Sequence, residues 1–147
     1  MRTFLAGSLF TLLSVLAVSC GNGNGGNTDA RAVMADTARY TTIEWQDSLS
    51  RNYGTIPEGE KLNVSFRFRN TGTTPLVIGR VQPSCGCTIA EQPQEPIAPG
   101  AEGHISATFN SQGHPGANRK TLFVDANTKG VQHYSLQFVV QVEKKSS

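Results

Sequence analysis

The chain has 147 residues, with 13 Lys and Arg against 11 Asp and Glu, a formal net charge of +2, and 37% hydrophobic and 7% aromatic residues. That length suits one domain and not comfortably two, with enough apolar residues for a small core. No block of like charge is longer than Lys144-Lys145, which argues against a nucleic-acid surface, since that needs a basic face interleaved with stacking aromatics.

The first element is an N-terminal leader. Arg2 precedes a run from Phe4 to Val18 that is mostly apolar but diluted by Gly7, Ser8, Thr11 and Ser14. The run matches a signal-peptide core and falls short of the roughly 20 residues of a membrane span. It closes on Leu16-Ala17-Val18-Ser19-Cys20, which resembles the lipobox of bacterial lipoproteins. The resemblance implies cleavage after Ser19, a diacylglyceryl group on the Cys20 sulfur and acylation of the new N-terminus. Two or three acyl chains hold a protein stably on a membrane, whereas one does not. A plain secretory signal and an uncleaved signal anchor are the competing readings. The expected location is a bacterial cell envelope, outside the cytoplasm, with the outer membrane favoured. Removal of residues 1–19 takes Arg2 with it and lowers Lys and Arg from 13 to 12 against 11 acids.

Gly21 to Asn27 carries only glycine and asparagine, the composition of a flexible tether. Thr28 to Arg39 mixes small, polar and charged residues and reads as more linker, so the segmentation is leader 1–19, anchor cysteine and linker 20–39, and a domain over 40–147.

The domain reads as β throughout. Tyr40 to Trp45 and Ser50 to Ile56 are rich in aromatic and β-branched residues. Pro57-Glu58-Gly59-Glu60 is a turn. Leu62, Val64, Phe66 and Phe68 alternate with Asn63, Ser65, Arg67 and Arg69, so one face is buried and the other wet. After the turn Asn70 to Pro75 comes an apolar strand, Leu76 to Val81, broken by Gly79. Ser84 to Thr88 reads as a loop or tight crossing, and Pro93, Pro96 and Pro99-Gly100 punctuate an extended connection in which Pro-Gly suits a type II turn. His104 to Asn110 alternates again. Gly113 to Asn118 is expected as a loop, Lys120 to Asp125 as a strand, and Gln132 to Val142 as the last strand, with Tyr134, Leu136, Phe138, Val140 and Val142 on one face. About seven strands with short turns and no convincing helix predict an immunoglobulin-like antiparallel β-sandwich, with a barrel as the alternative.

Four segments together carry a family resemblance: Tyr53-Gly54-x-Ile56-x-x-Gly59-Glu60, Phe66-x-Phe68-x-Asn70-Thr71-Gly72-x-x-Pro75-Leu76, Ser84-Cys85-Gly86-Cys87-Thr88 and Pro96-Ile97-x-Pro99-Gly100. Over about residues 41 to 142 the chain resembles the bacterial domain-of-unknown-function family numbered 1573. Tyr53 stands where that family usually has Phe. The resemblance implies an immunoglobulin-like fold, often on lipoproteins, and carries no established activity.

The chemistry-bearing residues are few. With Cys20 assigned to lipid, Cys85 and Cys87 remain as the candidate disulfide or thiol site in an oxidising compartment. A bridge across one residue closes so small a ring that it constrains the unfolded chain little, and Gly86 is expected to supply unusual backbone angles. Copper or zinc binding by the two thiolates is a second reading, but the spacing is off the usual zinc pattern, and His104, His114 or His133 would have to arrive through the fold. Thiol–disulfide chemistry is a third, without the helix start that activates Cys-x-x-Cys. Free thiols and pairing with another chain complete the alternatives. Ser84 and Ser111 lack a His/Asp arrangement. Glu58 and Glu60 mark a solvated turn. Gly21 to Gly26 lacks the lysine of a phosphate loop, and Arg67 and Arg69 read as solubilising charges or a partner-binding strip. No cofactor is expected. The favoured reading is a non-enzymatic binding or structural module for an envelope protein or glycan, with a metal-binding or thiol-redox protein as the alternative.

Overall fold

The computed structural model describes residues 29–144. Cys20 and the leader lie outside the described residues. Eight strands follow a short helix α1 (Ala30–Ala35) and a 3-10 turn (Thr37–Arg39): β1 (Ile43–Trp45), β2 (Ser50–Pro57), β3 (Lys61–Asn70), β4 (Ile78–Pro83), β5 (Thr88–Glu91), β6 (Glu102–Asn110), β7 (Gly116–Ala126) and β8 (His133–Glu143). They form two four-stranded sheets, in the orders β1-β3-β6-β5 and β2-β8-β7-β4. The result is an immunoglobulin-like β-sandwich.

The period-two strands build the core. Val64, Phe66 and Phe68 of β3 and Ile105, Ala107 and Phe109 of β6 face Leu122, Val124 and Ala126 of β7 and Leu136, Phe138, Val140 and Val142 of β8, all buried. Four phenylalanines, Phe66, Phe68, Phe109 and Phe138, are fully enclosed. Phe109 and Phe138 meet across the sheets with centroids 6.0 Å apart, and Trp45 sits edge-on to both Phe68 and Tyr134 at 5.5 Å, a favourable arrangement for ring quadrupoles.

Several expectations from the sequence are corrected. Among the described residues there are eight strands rather than about seven: Thr88–Glu91 is an added strand paired with β6. One pairing is parallel, β2 on β8, so the second sheet is mixed rather than wholly antiparallel. The expected loop over 113–118 is half strand, because Gly116 to Arg119 pairs with Val139 to Val142. Tyr40 to Thr42 lies outside β1.

The segment read as linker up to Arg39 is folded in its described part. Asp29 caps α1 by accepting from Arg31 N at 3.0 Å, and Asp36 accepts from Ala38 N at 3.0 Å to cap the 3-10 turn, the usual role of aspartate at a helix start. Val33 is buried. Met34 lies over Gly79, where an added Cβ would come 3.2 Å from its Cγ. Gly79 also marks the register shift in β4, so this strand glycine serves a bulge and a docked side chain together.

Two buried asparagines tie the loops at this end of the sandwich. Asn70 spends all four of its side-chain hydrogen-bonding positions: Oδ1 accepts from Thr41 Oγ1 (2.8 Å) and Gly72 N (3.1 Å), and Nδ2 donates to Thr74 O and Ile97 O (both 2.9 Å). Asn127 Nδ2 donates to Arg39 O (2.7 Å) and Pro75 O (3.1 Å), while its Oδ1 accepts from Val77 N (2.7 Å). Gly72 passes so close to Thr41 that a Cβ would fall 2.1 Å from its Oγ1. The turn read from Asn70-Thr71-Gly72 is therefore a junction between the chain entering the domain and three loops.

Candidate functional site

The Ser84–Thr88 segment carries the chain from β4 in one sheet to β5 in the other, at the end of the sandwich opposite α1. Its backbone is pinned on both sides. Ser84 N donates to Thr121 O (2.8 Å), and Thr121 N donates back to Ser84 Oγ (3.1 Å). Thr88 N donates to Cys85 O (3.3 Å) and Asn110 N to Cys87 O (2.9 Å). Ser84 thus fastens the loop to β7.

Cys85 and Cys87 are joined by a disulfide, S–S 1.96 Å, with Cα atoms 5.3 Å apart, inside the ordinary span for a bridge. Gly86 departs from expectation: it is absent from the glycines of the left-handed region. It projects into open space, with nothing within 4 Å of where a Cβ would stand. The one-residue ring thus closes without left-handed geometry. Both cysteines are half-buried. The buried Thr88 places its hydroxyl 3.7 Å from Cys85 Sγ and 3.9 Å from Cys87 Sγ. Disulfide sulfurs carry no hydrogen, so the hydroxyl is the donor.

Beside the loop lies a pocket of about 300 Å³ lined by Lys61, Gly86, Cys87, Ile89, Thr108, Asn110, Gln112 and His114. The His114 ring leans on Phe109 at 5.9 Å, and Lys120 Nζ sits 5.3 Å from the same ring.

Of the three histidines, the fold brings only His114 to the cysteine pocket. His104 lies on the outer face of β6 opposite Arg67 and lines a different pocket with Glu91, Glu102 and Ser106. His133 pairs with Asp125 at 2.7 Å, toward the α1 end. Among the described residues no three His, Cys, Asp or Glu side chains converge as metal ligands. Glu58 Oε1 accepts from Gly113 N at 2.9 Å, and Ser111 donates to Glu60 O at 2.7 Å; both hold turns together.

Arg67 and Arg69 are engaged rather than free. Arg67 grips Asp47 with two guanidinium bonds, Nη2–Oδ1 at 2.9 Å and Nε–Oδ2 at 3.1 Å, and its backbone N adds a third to Oδ2 at 2.8 Å. Arg69 pairs with Glu102, which also accepts from Gln46. The side-chain bonds from Arg67, then its backbone N–H, hold the Asp47 carboxyl down at about 2, against an ordinary 3.8. A depressed folded-state value contributes stability that is complete above the ordinary value and is lost as pH falls through about 2. Arg67 is mostly exposed, and water screens the pair, so the contribution is at most about 1 kcal/mol. Urea midpoints of the native chain and Asp47→Asn are expected to differ near pH 5 and to converge as pH approaches 2. A constant difference across that range would contradict the assignment.

Residues 43–142 match the family model described as "Protein of unknown function (DUF1573)". No protein of curated function matches the chain. Among solved structures, the chain is similar to a protein of unknown function from Porphyromonas gingivalis W83, with 15% identity, a TM-score of 0.61, and coverage of 72% of this chain and 49% of that one. It is similar to the ASH/PapD-like domain 7 of human CEP192, at 16% identity and TM-score 0.51, covering 74% of this chain and 89% of that one. The secreted serine protease VesC from Vibrio cholerae contains a similar region, at 14% identity and TM-score 0.50, covering 74% of this chain but 24% of that protein. The chain spans about half the length of the Porphyromonas protein. At these identities the likeness is one of fold.

Proposed function

Since the chain belongs to the family of proteins of unknown function DUF1573, whose name fixes no activity, we propose from its own residues that it is a lipid-anchored envelope protein displaying a non-enzymatic binding module. Cys20, at the end of the apolar leader, is the attachment point, and a bacterial outer membrane is the favoured location. The observation that carries the binding reading is edge strand β5. It closes its sheet on one side and holds Ile89 in solvent at 70% exposure, next to the cysteine pocket. An open strand edge with an apolar side chain suits addition of an extended segment from an envelope protein. The fold likeness to the ASH/PapD-like domain agrees with a module of this kind without naming a partner. Ser84, Ser111, Glu58, Asp47 and Glu102 are occupied in structural bonds, which supports a non-enzymatic role.

One experiment tests both halves. The native chain, Cys20→Ala and Ile89→Lys are expressed in the source envelope, fractionated and used for crosslinked affinity capture. Cys20→Ala is expected to lose the acyl mass and leave the membrane fraction. Ile89→Lys is expected to stay acylated and folded but lose the captured component. Acyl mass retained by Cys20→Ala overturns the anchor, and unchanged capture by Ile89→Lys overturns the β5 surface. Copper or zinc in stoichiometric amount on Cys85 and Cys87 would replace the module by a metal carrier.

A further inference from the structure

We propose that the Cys85–Cys87 disulfide is exchangeable and oxidises a partner's dithiol, with Cys87 the sulfur attacked and Cys85 the sulfur that leaves. Three independent features lead there. First, the loop does not need the bridge. The hydrogen bonds of Ser84, Cys85 and Cys87 to Thr121, Thr88 and Asn110 fix its backbone, and a bridge over a sequence separation of 2 removes little freedom from the unfolded chain. Opening the bridge therefore leaves the backbone of the loop in place. Second, both sulfurs belong to half-buried residues, and Cys87 with Gly86 borders the pocket beside the loop, which offers an entering thiolate a seat at Cys87. Third, the leaving sulfur has a donor waiting. The Thr88 hydroxyl lies 3.7 Å from Cys85 Sγ and 3.9 Å from Cys87 Sγ, slightly nearer Cys85, and closes on that thiolate as charge develops.

The exchange balances. A partner thiolate forms a bond to Cys87 Sγ, the Cys85–Cys87 bond breaks, and its electron pair goes to Cys85 Sγ. The partner's second thiol, on losing its proton, attacks its own first sulfur in the mixed disulfide, and Cys87 leaves as thiolate. Each cysteine then takes up one proton. The partner dithiol becomes a disulfide, and the Cys85–Cys87 bridge becomes two thiols, one equivalent per chain.

The test uses the full chain, with thiols mapped by mass on the peptide that carries both cysteines. Dithiothreitol serves as the dithiol and reduced glutathione as the mixed-disulfide probe. The folded native chain is expected to yield two free thiols with dithiothreitol at native pH, without denaturant. Glutathione added to the native chain and quenched with acid should be found on Cys87 at least about ten times as often as on Cys85. Thr88→Val should slow native reduction about fivefold and raise the pH at which Cys85 is alkylated, and Thr88→Ser should restore both. A disulfide that is reduced only after unfolding overturns the proposal. Equal glutathione on the two cysteines overturns the assigned polarity. Neither measurement involves Cys20 or Ile89, so failure here is distinct from failure of the anchored module.

Discussion

Phe68→Ala is expected to remove about 3–5 kcal/mol of stability, a large part of the roughly 5–15 kcal/mol a domain of this size possesses. The ring is fully buried and meets Trp45 edge-on at 5.5 Å. Its register partner on β6 is Gly103, and the two are fitted to each other: a Cβ on Gly103 would lie 2.7 Å from Phe68 Cζ. Alanine at 68 would therefore open a void that its neighbour has no side chain to fill. The cost of a large-to-small change grows with the cavity that remains, which places this variant toward the upper end. Urea unfolding followed by Trp45 fluorescence measures it. A loss below about 1 kcal/mol would mean that the site collapses freely or that the ring is not enclosed.

Asn70→Ala is the second large effect, by a different mechanism. No apolar volume of consequence disappears. Instead Thr41 Oγ1, Gly72 N and Thr74 O lose the atom that satisfies them, and Ile97 O keeps only its bond from Leu76 N. Thr41 and Asn70 are both essentially inaccessible to water. A buried polar group left unpaired costs about 1–3 kcal/mol, and such costs in one network do not simply add. A total of at least about 3 kcal/mol is expected, with amide protection lost first in the 70–77 and 97–101 loops. An exposed asparagine in a turn would change stability by no more than about 0.5 kcal/mol, so the two readings of this residue separate cleanly in a denaturation curve.

Phe68 was legible in the sequence and the role of Asn70 was not, and the difference has a physical basis. Alternation in β3, β6 and β8 is a local property of the chain, and it assigns Phe66, Phe68, Leu136 and Phe138 to the interior. Hydrogen bonds from Asn70 reach Thr41 and Ile97, 29 and 27 residues away, and no local pattern encodes them. Asn-Thr-Gly looks the same whether it is wet or sealed. Strand β5 was missed because it is four residues long, with Ile89 pointing to solvent. The first half of β7, Gly-Ala-Asn-Arg, has no strand propensity of its own and is extended because β8 pairs with it. Six residues of α1 are too few to display a helical period. At the candidate site the cysteine pair is plain in the sequence. Thr88 beside both sulfurs and His114 in the pocket wall are products of the crossing between sheets.

The parallel pairing of β2 with β8 constrains the order of events in the life of the chain. Of the eight strands described, β8 is the last to be synthesised, yet it lies inside its sheet, between β2 and β7. Until it is present, β2 has no neighbour in that sheet, and Phe66, Phe68 and Phe109 lack the opposing Leu136, Phe138 and Val140. A growing chain ending before Gln132 therefore has only one complete sheet and half an interior, and such non-local pairings close late in folding. Folding of the domain thus waits on β8. The polypeptide remains threadable until that strand is free to insert, and truncation within β8 would leave an unfolded chain rather than a shortened domain.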